Sequence, residues 1–301
     1  MTTRRRMIAT DLDGTLLQPD GTVSPRSAAA LELARRNGLL VTLVTGRPPR
    51  WLAPVANQTG WHGYAAAANG AVLIDLDKRV VEETFPIAGE AANEAVARIR
   101  EFMPGATFGV ENVRAGTPLR STPTDNPYDQ APLTNTEFGH EPGFRARLGI
   151  PIEAPVAPIA DLIARGDVVK LLARGPDGGL LDPDDTMVQL TEVLAGVVTV
   201  THSTPSSVLL ELSAATTSKE SGVAWLAKTH GIAREDVIAV GDMPNDLPML
   251  RWAGEGWAVG NAHAHVLAEV GADRILPPHT EDGVAGLIER IAAASGDSQS
   301  A

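Results

Sequence analysis

The chain has 301 residues, of which 44% are hydrophobic and 21% charged, and its formal net charge is −12. This length is typical of about two domains, and the negative charge disfavours binding to nucleic acid or to anionic lipid. The absence of cysteine excludes disulfides, cysteine-ligated zinc and a cysteine nucleophile. No segment approaches the ~20 apolar residues of a membrane-spanning helix, so we expect a cytoplasmic protein without signal peptide or anchor.

The first predicted strand ends in two aspartates. Residues Ile8-Ala9-Thr10 lead into Asp11-Leu12-Asp13-Gly14-Thr15, where a Gly-Thr turn follows two carboxylates one residue apart. An ordinary strand closed by a D-G turn would share this pattern. Ligands of open α/β sheets, however, bind just outside the carboxyl ends of the strands. One carboxylate that attacks and one that moves a proton are what a phosphoryl-transfer site without cysteine requires.

Strand and helix signals alternate at both ends of the chain. Ser24-Pro25 is typical of a helix start, and the following helix is predicted to end near Gly38, before a strand over residues 39–45. Weaker strands are predicted over 64–67 and 71–74. Further helices and strands alternate from residue 221 to about residue 294. This alternation predicts an α/β fold with a doubly wound parallel sheet.

The middle of the chain has a different pattern. Helices are predicted over 90–103 and from Asp182-Pro183, with strand-like runs beside them, and residues 116–143 are predicted to be largely loop. We therefore predict a core made of residues 1–82 and 208–301, with an inserted α+β cap over residues 83–207. Substrate specificity is expected in this cap, where four polar residues are candidates without a preference among them: Arg114, Arg120, Tyr128 and His140.

Two further segments offer groups that bind phosphate. Thr45-Gly46-Arg47 follows the second core strand and supplies a hydroxyl and a glycine amide, although a plain loop fits the same letters. Lys219 precedes a predicted helix, where it could neutralise a phosphate or a nucleophilic carboxylate. Lys170 competes for this role, but it lies within a predicted cap strand, so we favour Lys219.

An acidic cluster follows another apolar strand, in Val240-Gly241-Asp242-Met243-Pro244-Asn245-Asp246. Magnesium prefers about six oxygen ligands, typically one or two carboxylates with phosphate and water. Asp11, the backbone carbonyl of Asp13 and Asp242 could supply the protein ligands. We therefore predict a magnesium site.

Taken in order, these motifs resemble the haloacid dehalogenase (HAD) superfamily, whose core is Rossmann-like. Three additional segments resemble its Cof-like subgroup, in which a cap is inserted between the second and third motifs: Asn69-Gly70-Ala71, Val259-Gly260-Asn261-Ala262 and Glu281-Asp282-Gly283-Val284. The resemblance covers nearly all of the core, whereas the cap matches in position and size only.

The resemblance implies that Asp11 is the nucleophile that forms an aspartyl-phosphate. Asp13 would protonate the leaving alkoxide and then activate water, while Thr45, the Gly46 amide and Lys219 hold the phosphoryl group. Phosphate monoester hydrolysis is among the slowest uncatalysed reactions, and its catalysis consists mostly of positioning and charge neutralisation.

The same resemblance implies that Asp242 binds magnesium, that Asp246 supports the metal site, and that Asn245 contacts phosphate or substrate. Arg47 and Asn69 are expected near strand ends that face the cap, as substrate-binding residues.

The leading hypothesis is a magnesium-dependent phosphatase of a small phosphorylated metabolite, a sugar phosphate or a related organic phosphomonoester. One alternative is a phosphomutase or phosphotransferase on the same core, which product analysis would distinguish. The other is a non-catalytic phospho-ligand binding protein, which binding without turnover would indicate. The sequence does not predict an oligomeric state.

Overall fold

The computed structural model describes residues 6–60, 62–119, 137–144, 154–176, 182–201 and 208–297. Its strands, numbered along the chain, are β1 (Met7–Asp11), β2 (Leu40–Val44), β3 (Tyr64–Ala67), β4 (Val72–Asp75), β5 (Val80–Thr84), β6 (Thr107–Asn112), β7 (Glu137–His140), β8 (Val168–Arg174), β9 (Val198–Thr201), β10 (Leu209–Ala214), β11 (Val237–Gly241), β12 (Glu255–Val259) and β13 (Ile275–Leu276). Its α-helices are α1 (Pro25–Arg36), α2 (Ala53–Thr59), α3 (Gly89–Phe102), α4 (Ile159–Ile163), α5 (Pro183–Val193), α6 (Lys219–Thr229), α7 (Leu247–Trp252), α8 (Ala264–Val270) and α9 (Gly283–Asp297).

The larger sheet has eight strands in the order β13-β12-β11-β1-β2-β3-β4-β5. The first six run parallel, which confirms the predicted α/β fold. Strands β4 and β5 run antiparallel to their neighbours. The connection from β3 to β4 is the tight turn Ala68–Gly70, which is far too short for the crossover that a parallel pair needs.

Local sequence explains how the core helices begin. The Ser24 hydroxyl accepts a hydrogen bond from the Ser27 amide, and Pro25 follows at the first position of α1, as predicted. Ser218 caps α6 by the same kind of contact with the Ser221 amide. This cap places Lys219 in the first turn of α6.

The smaller sheet has five antiparallel strands in the order β7-β6-β8-β10-β9. Helices α3, α4 and α5 pack on one of its faces, around a hydrophobic cluster that includes Phe108, Leu171 and Leu212. Strand β7 lies in the segment that we predicted to be largely loop. Residues 120–136 of that segment lie outside the described part of the chain.

A second hydrophobic cluster is formed by buried residues of the eight-stranded sheet and of the helices that pack on it. Strand β5 extends to Thr84 in the larger sheet, and β10 (Leu209–Ala214) belongs to the smaller one. The predicted boundaries at residues 83 and 207 stay predictions, and we propose moving them to just after Thr84 and just after Ala214.

Within the described residues, no helix combines the length and the hydropathy of a bilayer span.

Candidate active site

Three neighbouring parallel strands bring the predicted motifs to one edge of the larger sheet. Strand β1 lies between β11 and β2, and it ends at Asp11. Asp242 directly follows β11, and Thr45 directly follows β2. Because the carboxyl ends of parallel strands lie at the same edge, these three residues are brought to one edge of the sheet although they are far apart in the chain.

Lys219 links Asp11 to Asp246. Its Nζ lies 2.6 Å from Asp11 Oδ1 and 2.6 Å from Asp246 Oδ1. All three side chains are buried. Burial opposes the charge on Lys219, but the two adjacent carboxylates outweigh burial and raise the lysine pKa. The ammonium is therefore a permanent positive charge beside the predicted nucleophile.

The carboxylates of Asp11, Asp242 and Asp246 form a buried acidic cluster whose candidate ligand atoms lie within 4.8 Å of one another. Burial raises the pKa of Asp11 well above its ordinary value; Lys219 opposes this effect, and the charges of Asp246 and Asp242 add to it. Burial, followed by the charge of Asp246, raises the pKa of Asp242 to about 6. One ammonium does not balance three carboxylates, so this set of oxygen donors suits a divalent cation such as magnesium.

Hydrogen bonds hold the acidic loop in place. The Thr15 hydroxyl donates to Asp242 Oδ1 at 2.8 Å, and the backbone amides of Asp242 and Met243 donate to Asp246 Oδ2 at 3.0 Å each. Both oxygens of Asp246 are therefore engaged, one by Lys219 and the other by the loop. This arrangement suits a supporting role for Asp246 beside the metal.

Asp13 lies apart from that cluster. Its side chain is 56% exposed, and Arg47 pairs with it in a two-pronged contact of 2.7 Å from Nε and 2.5 Å from a terminal nitrogen. The Arg47 amide also donates to the Thr45 hydroxyl at 3.0 Å. The loop of residues 45–47 thus orients the predicted acid–base residue.

Asn69 lies between the core and the cap. Its backbone has a φ of 57°, a left-handed conformation that asparagine tolerates better than most residues. Its Nδ2 donates to Glu211 Oε2 at 2.9 Å and to the Thr201 hydroxyl at 3.2 Å, while its Oδ1 accepts from Asn245 Nδ2 at 3.3 Å. Among the described residues, the buried Oδ1 of Asn245 finds no hydrogen-bond partner, so it is free to contact a ligand.

Lys219, and not Lys170, contacts Asp11. Lys170 instead reaches from β8 into the core, where its Nζ donates to the Gly46 carbonyl at 2.6 Å and pairs with Glu211 at 2.8 Å. Among the polar cap candidates, Arg114 pairs with Asp167 on the surface, and the His140 Nδ1 contacts the Glu141 carbonyl. Arg120 and Tyr128 lie outside the described residues.

Sequence reasoning missed several residues around the site. Glu211 and Glu111 are charged residues inside apolar strands, and this interruption was the signal that could have identified them. Asn261 Nδ2 donates to the Gly14 carbonyl at 2.8 Å, and Asn261 Oδ1 accepts from the His279 amide at 2.9 Å. Asn261, named above only as part of a segment that resembles the Cof-like subgroup, therefore supports the turn after Asp13, a tertiary contact that local patterns do not show.

Comparisons with known proteins cover nearly the whole chain. The model of the haloacid dehalogenase-like hydrolase family matches residues 8–117 and 166–288. Phosphatase YwpJ of Bacillus subtilis is 26% identical over 293 residues, which cover 95% of this chain and 99% of that protein. Pyridoxal phosphate phosphatase YbhA of Escherichia coli is 28% identical over 294 residues, which cover 96% of this chain and 98% of that protein.

Solved structures share the same fold. A haloacid dehalogenase-like hydrolase from Bacteroides thetaiotaomicron superposes with a TM-score of 0.68 at 26% identity, covering 96% of this chain and all of that one. The HAD subclass IIB sugar phosphatase BT4131 superposes with a TM-score of 0.71 at 17% identity, covering 95% and 98% of the two chains. At this identity the second likeness shows a common core-plus-cap architecture.

Proposed function

Because this chain belongs to the haloacid dehalogenase-like hydrolase family, we propose that it is a magnesium-dependent phosphatase of a small phosphomonoester. The observation that carries the proposal is the contact of Lys219 with Asp11 beside Asp242 and Asp246, at the ends of adjacent strands. This arrangement supplies a buried carboxylate, a fixed positive charge and a set of oxygen ligands in one place. Charge neutralisation of this kind is most of what phosphoryl transfer requires.

In the proposed first step, an Asp11 carboxylate oxygen attacks phosphorus and the ester P–O bond breaks. Asp13 gives a proton to the departing alkoxide oxygen, so that an alcohol leaves and Asp11 carries the phosphoryl group. Thr45, the Gly46 amide and Lys219 hold the phosphoryl oxygens. The exposure of Asp13 lets it exchange protons with solvent, and its contact with Arg47 fixes where it lies.

In the second step, Asp13 takes a proton from water, the water oxygen attacks phosphorus, and the bond to Asp11 breaks. Inorganic phosphate leaves, and Asp11 is restored as a carboxylate. Asp11, the Asp13 carbonyl and Asp242, with support from Asp246, would hold the magnesium ion, which would supply positive charge for the phosphate when bound. Asn245, Arg47 and Asn69 are proposed to contact phosphate or the rest of the substrate.

The substrate class is proposed to be a sugar phosphate or a related organic phosphate. The polar groups near Asn69 suit a hydroxylated leaving group, and YbhA is named for action on pyridoxal phosphate. A panel for testing should therefore include both kinds of compound. The cytoplasmic location stays a prediction.

The test is phosphate release by the purified protein across this panel, with magnesium and with EDTA. We expect magnesium-dependent turnover that Asp11→Asn abolishes while the variant remains folded, as a cooperative thermal transition would show. Undiminished turnover by Asp11→Asn would overturn the assigned nucleophile. Transfer of the phosphoryl group to a second hydroxyl would indicate a mutase or phosphotransferase, and binding without any turnover would indicate a binding protein.

A further inference from the structure

Three charged side chains form a row across the cap sheet. Glu111 on β6 is the direct cross-strand partner of Lys170 on β8, and Glu211 on β10 lies diagonally beyond it, opposite Leu172. Their chain neighbours Val110, Leu171 and Leu210 belong to the hydrophobic cluster under the cap helices. Because side chains alternate along a strand, the charged row lies on the opposite face of the sheet. We call these three residues the cap-sheet charge row.

Each member of the row meets a group of matching polarity in the core. Glu111 pairs with the guanidinium of Arg50, with a shortest distance of 2.5 Å. The Lys170 ammonium meets the Gly46 carbonyl oxygen, and the Glu211 carboxylate accepts from the Asn69 carboxamide. The cap charges negative–positive–negative thus face, in the same order, a guanidinium, a carbonyl oxygen and an amide N–H donor of the core.

All of these side chains are buried, so a mismatch would be costly. Arg50 is 5% exposed, Glu111 0% and Lys170 4%. A shift of the cap by one strand would bring Glu111 against the Gly46 carbonyl, which would place negative against negative. A buried ion pair is poor evidence of net stability, but its best-attested use is to select one register. This complementarity favours one placement of the cap on the core.

The contact at Gly46 acts on the loop that is proposed to hold phosphate. Lys170 binds the oxygen of the Gly46–Arg47 peptide, and the N–H of the same peptide donates to the Thr45 hydroxyl. Lys170 therefore fixes the plane of this peptide, and the peptide in turn orients Thr45. The core and the cap become coupled at the loop that touches the substrate.

We propose that Lys170 is a positioning residue, which, within the cap-sheet charge row, orients the Thr45–Gly46–Arg47 loop for binding of the phosphoryl group. This inference rests on the proposed function, since it assigns that loop to phosphate. Lys170 contacts the backbone of the loop, whereas Lys219 is the lysine that we predict to bind the phosphate itself.

The test compares Lys170→Met and Lys170→Arg with wild type, using inorganic phosphate as a competitive inhibitor. For Lys170→Met we expect an inhibition constant for phosphate about tenfold higher or more and a kcat about 10–100-fold lower, because small misplacements in a phosphoryl site have effects of this size. Lys170→Arg restores a cation and should recover most of both. Arg98→Met is the matched control, since Arg98 is a cap cation that contacts Glu94 and the Val193 carbonyl within the cap.

A Lys170→Met protein with wild-type phosphate affinity and kcat would overturn the proposal. If that variant does not fold, the double variant Lys170→Met/Glu211→Gln replaces it, because the glutamine removes the buried carboxylate that Lys170→Met leaves without its cation. The double variant still lacks the contact with the Gly46 carbonyl, so wild-type phosphate affinity there would equally overturn the proposal. An inactive wild-type protein would instead refute the proposed function. Hydrogen exchange of residues 45–50 would then decide whether Lys170 orders this loop, with faster exchange in Lys170→Met than in Arg98→Met supporting that role and equal exchange refuting it.

Discussion

Gly14 lies directly against the carboxylate of Asp242. A Cβ built on residue 14 would lie 2.5 Å from Asp242 Oδ2, and the Gly14 backbone has a φ of +79°. Glycine is therefore required at this position both for its backbone conformation and for space. The turn after the first strand and the acidic loop after β11 are in this way built against each other.

Gly14→Ala is expected to weaken magnesium binding and to lower kcat/KM by about tenfold or more, because the new methyl group displaces Asp242. Activity titrated against magnesium measures the effect. Gly38→Ala is the matched control: φ is +72° there, and nothing lies within 4 Å of the added Cβ. It should cost about 1 kcal/mol of stability from backbone strain and leave activity intact. Equal loss of activity in both variants would contradict this account.

Asp242→Asn is expected to stabilise the metal-free protein while abolishing its activity. Burial and the charge of Asp246 raise the folded-state pKa of Asp242 to about 6 from an ordinary value of 3.8. The folded protein therefore binds this proton more tightly than the unfolded chain, and the wild type loses stability as pH rises from about 4 to above 6. The loss of stability is on the order of 2–3 kcal/mol. The Asp242→Asn variant avoids this loss because asparagine carries no charge at any of these pH values.

Melting temperatures in EDTA test this expectation. The advantage of Asp242→Asn over wild type should grow from pH 4 to above 6, whereas Asp273→Asn, which changes an exposed carboxylate, should give no such trend. Added magnesium should stabilise only proteins that retain Asp242. An advantage that does not vary with pH would count against repulsion as its source.

Lys219→Met is expected to reduce kcat by about 10²–10³-fold, the range for loss of one group that stabilises developing charge. It also leaves Asp11 and Asp246 without their shared cation, which should cost about 3–5 kcal/mol of stability. Lys228→Met removes an exposed lysine from the same helix and should change stability by less than about 0.5 kcal/mol. Steady-state kinetics measure kcat, and chemical denaturation measures the free energy of unfolding. Equal values of both quantities for Lys219→Met and Lys228→Met would refute the prediction.

Phe108→Ala is expected to loosen the cap and spare the core. Phe108 is fully buried in the cap cluster, so its truncation should cost about 3–5 kcal/mol. Hydrogen exchange should accelerate in β6 and β8 but not in β1 and β2. Leu73→Ala, in the other cluster, should give the reverse pattern. Uniform acceleration across both sheets would argue against two separately packed domains.

Much of the core could be predicted from the sequence because its signals are local. The apolar run before Asp11 and the Ser24-Pro25 helix start each depend on neighbouring residues, and the structure confirms β1 and α1 there. The placement of Lys219 beside Asp11 followed from the order of the motifs, and membership of the haloacid dehalogenase-like family is confirmed by the family match.

What could not be predicted depends on pairing between distant segments. The reversal of direction at β4 and β5 is set by short connections, and β7 is recognisable only beside β6. A charged residue that interrupts an apolar strand fits an exposed face as well as a buried ion pair, so the sequence did not distinguish the two for Glu111 and Lys170. Their partners, Arg50 and Gly46, lie in another domain of the fold.

The return of the chain from the cap has a consequence for protein engineering. Glu211, in the last strand of the cap along the chain, contacts Asn69, and Lys219 follows a few residues later and contacts Asp11. Suppose that a chimera exchanges caps between relatives with its second join just after Ala214. That join would lie between the Glu211–Asn69 contact and the Lys219–Asp11 contact. Grafts should therefore transfer or retain residues 211–219 as a unit, with the first join in the loop after Thr84.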